Sequence, residues 1–354
     1  MLTSRAKRLV IAACALALGA SVLSGCATAG ASGPVLGISI GFANNTWNQA
    51  LIHEVDTAVG NLQARHEVAD VKVENANNDV SSQVSQVQDM ILNRVSAILI
   101  QPTSTAGLNG VITSAQRAHI PVLVFAEGPV TSTVPYELES DFSGGQEQRI
   151  EYLLKQMHGR GNVLSIRGTA GTGADAGFEH GTQDALRKYP GIKVVNTLYG
   201  DWDDSISEDA VQKALPGLPP VQGIIDQGGE AYGALQAFAA DGRGVPAVEG
   251  GNRTNFLQWW QQQHAKTGFT TISSEMDPGI GAAAVYEGYQ LATGKTVPKR
   301  VNFPYLTIPQ NQLDAYIKSS EGIGCAFTDP ALDYVVSHLS AWSCGSKADC
   351  GWVQ

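Results

Sequence analysis

The chain has 354 residues, 43% of them hydrophobic, enough for sizeable cores in about two domains at ~150 residues each. Its 23 basic residues face 33 acidic ones, a formal net charge of −10. That balance excludes a nucleic-acid-binding role, which needs a basic face, and leaves anionic ligands only to a placed arginine.

In chain order, Arg5, Lys7 and Arg8 precede an apolar run from Leu9 to Leu23, and Ser24-Gly25-Cys26 follows. A basic start, a short greasy stretch and small residues form the layout of an export signal, here residues 1–25. The run falls short of the ~20 residues a transmembrane helix needs. Leu23-Ser24-Gly25-Cys26 is similar to a bacterial lipobox, which would make Cys26 the acylated new N-terminus, with two chains giving stable anchoring. The alternative is an ordinary cleaved signal with an incidental cysteine. With the lipobox, everything after Cys26 works outside the cytoplasmic membrane, where ATP and NAD are not on hand, so no cofactor is expected. Residues 26–34 are small and polar, a tether.

From Val35 short apolar runs alternate with helical patterns. Strands are predicted at Val35–Gly41, Val71–Glu74, Ala97–Gln101 and Pro121–Phe125, with helices at Trp47–Arg65, Ser81–Asn93 and Ala106–Ala118 between them. The beat repeats. Helices at Gly144–His158, Ala174–Tyr189, Ser207–Leu215, Glu230–Ala240 and Phe256–Gln263 alternate with strands at Asn162–Ile166, Val194–Tyr199, Gly223–Asp226, Pro246–Val248 and Phe269–Ser273. A helix at Ile280–Thr293, a run at Val301–Ile308 and a helix near Pro330–Ser340 follow. Such alternation implies right-handed βαβ units around parallel sheets, and two successive blocks imply two similar lobes. Open α/β sheets bind ligands beyond the carboxyl ends of their strands, so the cleft between the lobes is the expected site.

The residues just after each strand are therefore the candidates. They include Asn44, Asn45 and Trp47, then Gln101, then Glu127. In the second block they are Arg167, Trp202 between two aspartates, Gln227 with Glu230, Asn252 after Glu249, and Glu275. Amides donate and accept hydrogen bonds and carboxylates accept them, which suits a ring of hydroxyls. Flat indoles suit the C–H face of a sugar ring. A small sugar or polyol fits this set better than a phosphate or a long peptide.

Several strings carry a family likeness. Asn44-Asn45-Thr46-Trp47, Ile98-Leu99-Ile100-Gln101-Pro102-Thr103, Ile120-Pro121-Val122, Ser140-Asp141, Asp201-Trp202-Asp203 and Gly233-Ala234-Leu235-Gln236-Ala237 follow one another at family spacing. Over roughly Val35 to Ile308 the chain resembles the periplasmic sugar-binding proteins of the ribose-binding type, which feed ABC importers. That resemblance implies a type I periplasmic binding fold: α/β, two Rossmann-like lobes with parallel sheets joined by a multi-strand hinge. It divides the chain into a first lobe of 35–128 plus 276–300 and a second of 129–275 plus 301–354. Hinge crossings are expected near Glu127–Asp141, Glu275 and Arg300. The family's site adds Asp141 and, in the helix after Gly168, Asp175 where it usually has an arginine. Further departures are Ala126-Glu127 for an Asp-Arg pair, Gln227-Gly228-Gly229-Glu230 for Asn-Asp-Glu, and Glu249-Gly250-Gly251-Asn252 for Gly-Phe-Asp-Gly. Arg167 is the candidate to replace the missing arginine. The scaffold thus carries over more safely than ribose does.

Competing readings are weaker. Gly37-Ile38-Ser39-Ile40-Gly41 has the letters of a nucleophile elbow, but Ser39 falls inside a strand. Gly168–Gly173 is neither a dinucleotide nor a Walker loop. A hydrolase would need Glu127, Asp141 or Glu275 as an acid–base pair, and a sensor would present the closed lobes to a receptor or kinase. The expectation is a monomeric binding protein without catalysis or metal, whose partners are the sugar or polyol and an ABC permease. Cys325, Cys344 and Cys350 allow one disulfide and leave one thiol, the pair open.

Overall fold

In the computed structural model residues 33–128 and 130–350 are described. The export signal, Cys26 and most of the tether lie outside them. The first block holds β1 (Val35–Ile40), α1 (Thr46–Ala64), β2 (Asp70–Asn75), α2 (Val80–Leu92), β3 (Ala97–Ile100), α3 (Asn109–Arg117), β4 (Val122–Phe125) and β5 (Tyr136–Glu139). The second holds α4 (Phe142–Gln156), β6 (Arg160–Arg167), α5 (Gly173–Lys188), β7 (Gly191–Tyr199), α6 (Asp204–Ala214), β8 (Gly223–Ile225), α7 (Ala231–Ala240), β9 (Ala247–Val248), α8 (Thr254–Thr267) and β10 (Ser273–Met276). The chain closes with α9 (Ile280–Ala292), β11 (Arg300–Asn302), β12 (Tyr305–Ile308), α10 (Leu313–Ser319) and α11 (Leu332–His338).

The first sheet is parallel throughout, in the order β11-β5-β4-β3-β1-β2. β3 and β4 are buried at every position because helices cover both faces. On one face α1 and α9 bring Leu51, Val55, Ile280 and Tyr286 against Leu36, Leu99 and Leu123. On the other, α2 and α3 bring Val87, Met90 and Ile112 against Ile98, Ile100 and Val124. The second sheet, β7-β6-β8-β9, is also parallel. A parallel bridge from Gly250 to Ser273 adds β10 at its edge, and β12 pairs antiparallel with β10. Its core gathers Leu164, Ile224, Phe238, Phe256 and Trp260.

The lobe division departs from the expected one in two places. β5, at positions expected in the second lobe, joins the first sheet, so the chain crosses after Glu139. The tail after residue 301 divides between the lobes. β12 and α10 stay with the second core through Leu306, Ile308, Leu313 and Ile317. α11 places Val335 and Leu339 one turn apart in the first core, and Ser343 bridges Val301 of β11. The last part of the tail, from α11 on, therefore braces the first lobe. Cys344 pairs with Cys350, and Cys325 is a buried free thiol.

Candidate functional site

Between the sheets, beyond the carboxyl ends of their strands, lies a cavity of about 90 Å³. At ~10–15 Å³ per water it has the scale of one small solute. Its first-lobe wall is Phe42, Asn44, Asn45, Trp47, Asn48, Asn78, Ala126 and Glu127. Its second-lobe wall is Phe142, Thr169, Ala174, Phe178, Asp201, Trp202, Gln227, Gly228, Gly229 and Arg253, with Glu275 and Met276 from the end of β10.

The first wall follows from ordinary helix-start chemistry. Asn45 is the N-cap of α1, its side-chain oxygen accepting from the Asn48 N–H at 2.8 Å, which sets Trp47 in the first helical turn. The Trp47 indole donates to the Met276 carbonyl at 2.8 Å, so the ring is fixed at both ends. Behind it Gln101, just after β3, donates to Asn48 at 2.8 Å and to Glu127 Oε1 at 3.0 Å. Burial pushes the Glu127 carboxyl up to about 8, with the Gln101 bond working against it. Near neutral pH it is mostly protonated and can donate as well as accept.

The second wall is made differently. Asp201 and Trp202 both adopt left-handed backbone, φ 51° and 53°, which L residues occupy at a cost. The turn survives because the Trp202 N–H donates to Glu230 Oε1 at 3.0 Å and the Arg253 guanidinium donates to the Trp202 carbonyl. The indole lies on Gly168, where any Cβ would overlap the ring. Gly228, at φ +109°, leaves the space that the Glu275 carboxylate fills. Glu275 meets Arg149 at 3.1 Å, and the same guanidinium meets Glu249 at 2.6 Å and Asp226 at 3.1 Å, all with side chains 5% exposed or less. Burial pushes Glu275 up to about 7 and Glu249 to about 8, with Arg149 opposing. Arg149 itself is held firmly charged by its three carboxylates. Burial, and then the charge of Asp226, pushes Glu230 up to about 8.

Seven of the residues expected from sequence line this cavity: Asn44, Asn45, Trp47, Glu127, Trp202, Gln227 and Glu275. The other six stand outside its lining. Gln101 is fully buried behind Glu127. Asp141 caps α4, accepting from the Gly144 N–H at 2.7 Å, which takes it out of the wall. Arg167 is bound to Asp175 through two contacts of 2.9 and 2.7 Å and does not replace the missing arginine at the cavity. Asp175 in turn accepts from Gln227 at 3.0 Å, and Glu230 serves the Trp202 turn. Asn252 donates to the Ala326 carbonyl at 2.9 Å and accepts from the Cys325 thiol.

The arginine that does reach the wall is Arg253, directly after the Glu249–Asn252 string at the end of β9. Position at a strand end was the signal for it. Asn78 carries the same signal after β2. Phe142 and Phe178 lie on helices, where strand-end reasoning has no purchase; with Ala174 and Met276 they form an apolar cluster touching both indoles.

A profile of the periplasmic binding protein domain matches residues 36–296. The chain is 30% identical to the xylitol-binding protein of Mycolicibacterium smegmatis over 49% of its own length, and spans half of that relative. It is 23% identical to the ribose import binding protein RbsB of Bacillus subtilis, covering 76% of this chain and 85% of that one. An ABC transporter solute-binding protein from Thermobispora bispora superposes with a TM-score of 0.80 at 29% identity, over 87% of this chain and 95% of that one. One from Bacillus halodurans with bound myo-inositol has the same fold, with a TM-score of 0.70 at 21% identity over 80% and 97% of the chains. Two lobes, each a parallel sheet sheathed by helices, and a cavity at their strand ends thus agree with the profile, and the chain belongs to the periplasmic binding protein family, of the ribose-binding type.

Proposed function

We propose that this protein captures one small sugar or polyol in the interlobe cavity and delivers it to an ABC importer, working as a monomer without cofactor. The observation that carries the reading is the composition of one small cavity walled by both lobes. It holds two indoles for C–H faces, and amides, carboxyls and one guanidinium for hydroxyls. Asn44, Asn45, Trp47, Glu127, Trp202, Gln227, Glu275 and Arg253 touch the ligand in this reading. Gln101, Asp141, Arg167, Asp175, Glu230 and Asn252 act through them. A ligand bound to both walls favours the closed lobes, and closure is what a permease reads. Acylation at Cys26 would keep the protein at the outer face of the membrane while the tether lets it reach its partner.

The test is a thermal-shift screen of pentoses, hexoses and polyols, with ribose, xylitol and myo-inositol among them, followed by calorimetric titration of each hit. A ligand that binds only the folded state raises its melting temperature, by an amount that grows with the logarithm of concentration over Kd. No shift with any of them overturns the reading, and turnover of a bound sugar would replace it with catalysis. Cys26→Ser should move the expressed protein from membrane to soluble fraction with affinity unchanged.

A further inference from the structure

Lys347 lies inside the loop closed by Cys344 and Cys350, yet is 7% exposed while Ser346, Ala348 and Asp349 beside it are exposed. A lysine gives up its hydration only against a counter-charge. Its Nζ stands 2.9 Å from Glu137 Oε1 and donates to the Val130 carbonyl. Arg300 takes the other Glu137 oxygen at 3.1 Å and donates to Gly345 O at 3.3 Å, which holds the loop from a second side. Lys299, also close to Glu137, is turned to the Tyr136 ring and the Val134 carbonyl.

Glu137 and Glu139 are two residues apart on β5, hence on the same face of the strand, and both are at most 1% exposed. Glu139 Oε2 accepts from the Gly128 N–H at 3.0 Å, and Gly128 follows Glu127 of the cavity wall. Glu139 Oε1 has no hydrogen-bond partner among the described residues. Burial drives the Glu139 carboxyl up, Glu137 and Glu127 add to the rise, and Lys347 opposes it. The tail's ammonium, the β5 acids and the Glu127 arm therefore form one connected unit.

We propose that Lys347 is a positioning residue for the cavity: the disulfide-closed loop inserts its ammonium beside β5 and holds the Glu127–Glu139 segment, and with it the wall carboxyl, in place. Opening the Cys344–Cys350 bond frees the loop and loosens that segment. The link to segment order stands on contacts alone, while its effect on affinity rests on the proposed sugar-binding role.

Hydrogen exchange of peptides spanning residues 126–140, without ligand, tests the first part. Lys347→Met should exchange there about tenfold faster or more than wild type, and Lys347→Arg within about twofold of it, with β6 unchanged in both. Equal exchange in wild type and K347M overturns the proposal, as does exchange in Lys347→Arg as fast as in K347M. Should K347M fail to fold, the C344S/C350S variant keeps the lysine but frees its loop; faster exchange at 126–140 supports the proposal, and wild-type exchange overturns it. Titration of K347M with a polyol found in the screen should show affinity about tenfold weaker. Unchanged affinity overturns the role at the cavity. A wild-type protein that binds no polyol overturns the proposed function, and hydrogen exchange then decides by itself whether Lys347 holds the segment.

Discussion

The two walls of the cavity are built by opposite means. The first-lobe wall rests on neutral groups: a helix cap at Asn45, a turn that seats Trp47, and the amide chain Asn48–Gln101–Glu127, with left-handed backbone at Asn78 and Ala126. The second-lobe wall rests on a left-handed Asp201–Trp202 turn and on buried charge, with Arg149 gripping Asp226, Glu249 and Glu275. The first joins a local helix cap to hydrogen bonds from distant parts of the chain, Asn48 to Gln101 and Trp47 to Met276. The second needs α4, β8, β9 and β10 assembled before any of its charges is compensated. One wall is thus held by neutral hydrogen bonds and the other by buried charge that a whole lobe compensates.

That contrast breaks most readily at Arg149. Arg149→Met leaves three buried carboxylates without their cation, and should cost about 3–5 kcal/mol of folding stability. Urea unfolding measures it; wild-type stability would mean that the network does not hold the second lobe. Next come the indoles. Trp202→Ala and Trp47→Ala should each weaken affinity for the screened polyol by about 2 kcal/mol, read by calorimetry, while the fold persists. A loss confined to one variant would assign stacking to one wall alone.

A smaller effect separates the walls by pH. Glu127 and Glu249 stand at about 8 and Glu275 at about 7, against an ordinary 4.5. The folded state therefore holds protons that the unfolded chain releases. The stability these groups contribute is complete below about 4.5 and is lost as pH rises through about 7 to 8. Melting temperature should fall as pH rises from about 4.5 to about 8, and Glu127→Gln should flatten the slope by the share of one proton. A wild-type slope in E127Q would place the titration wholly in the second wall. The smallest change is Asn45→Ala, which should cost about 1 kcal/mol through loss of the α1 cap and leave the Arg149 network intact.

How far the site could be read in advance follows the same divide. Asn45, Trp47 and Glu127 are legible because each lies in the loop or first helical turn that follows an apolar strand. Arg253 carries the same strand-end signal, but its reach to the wall depends on the room left by Gly229 and on Asp204 and Trp202 from another loop. β5 escapes pattern reading since Tyr-Glu-Leu-Glu looks like a solvated strand, and only Lys347 and Arg300, distant in the chain, let it be buried. β10 sits at Ser273–Met276, past the expected Phe269–Ser273, because its polar side chains are engaged inside the lobe, Glu275 with Arg149 and Ser273 with the Gly251 carbonyl.

By itself the order of residues determined the two α/β blocks, the cleft at their strand ends and half of its polar wall. Hydrophobic period and strand-to-helix turns are short-range properties, readable within a window of some ten residues. Only the tertiary structure decided which lobe the tail braces, which cysteines pair, and which of the buried acids meet a cation. Those outcomes depend on desolvation and on charges brought together across a hundred residues or more, and no local pattern encodes them.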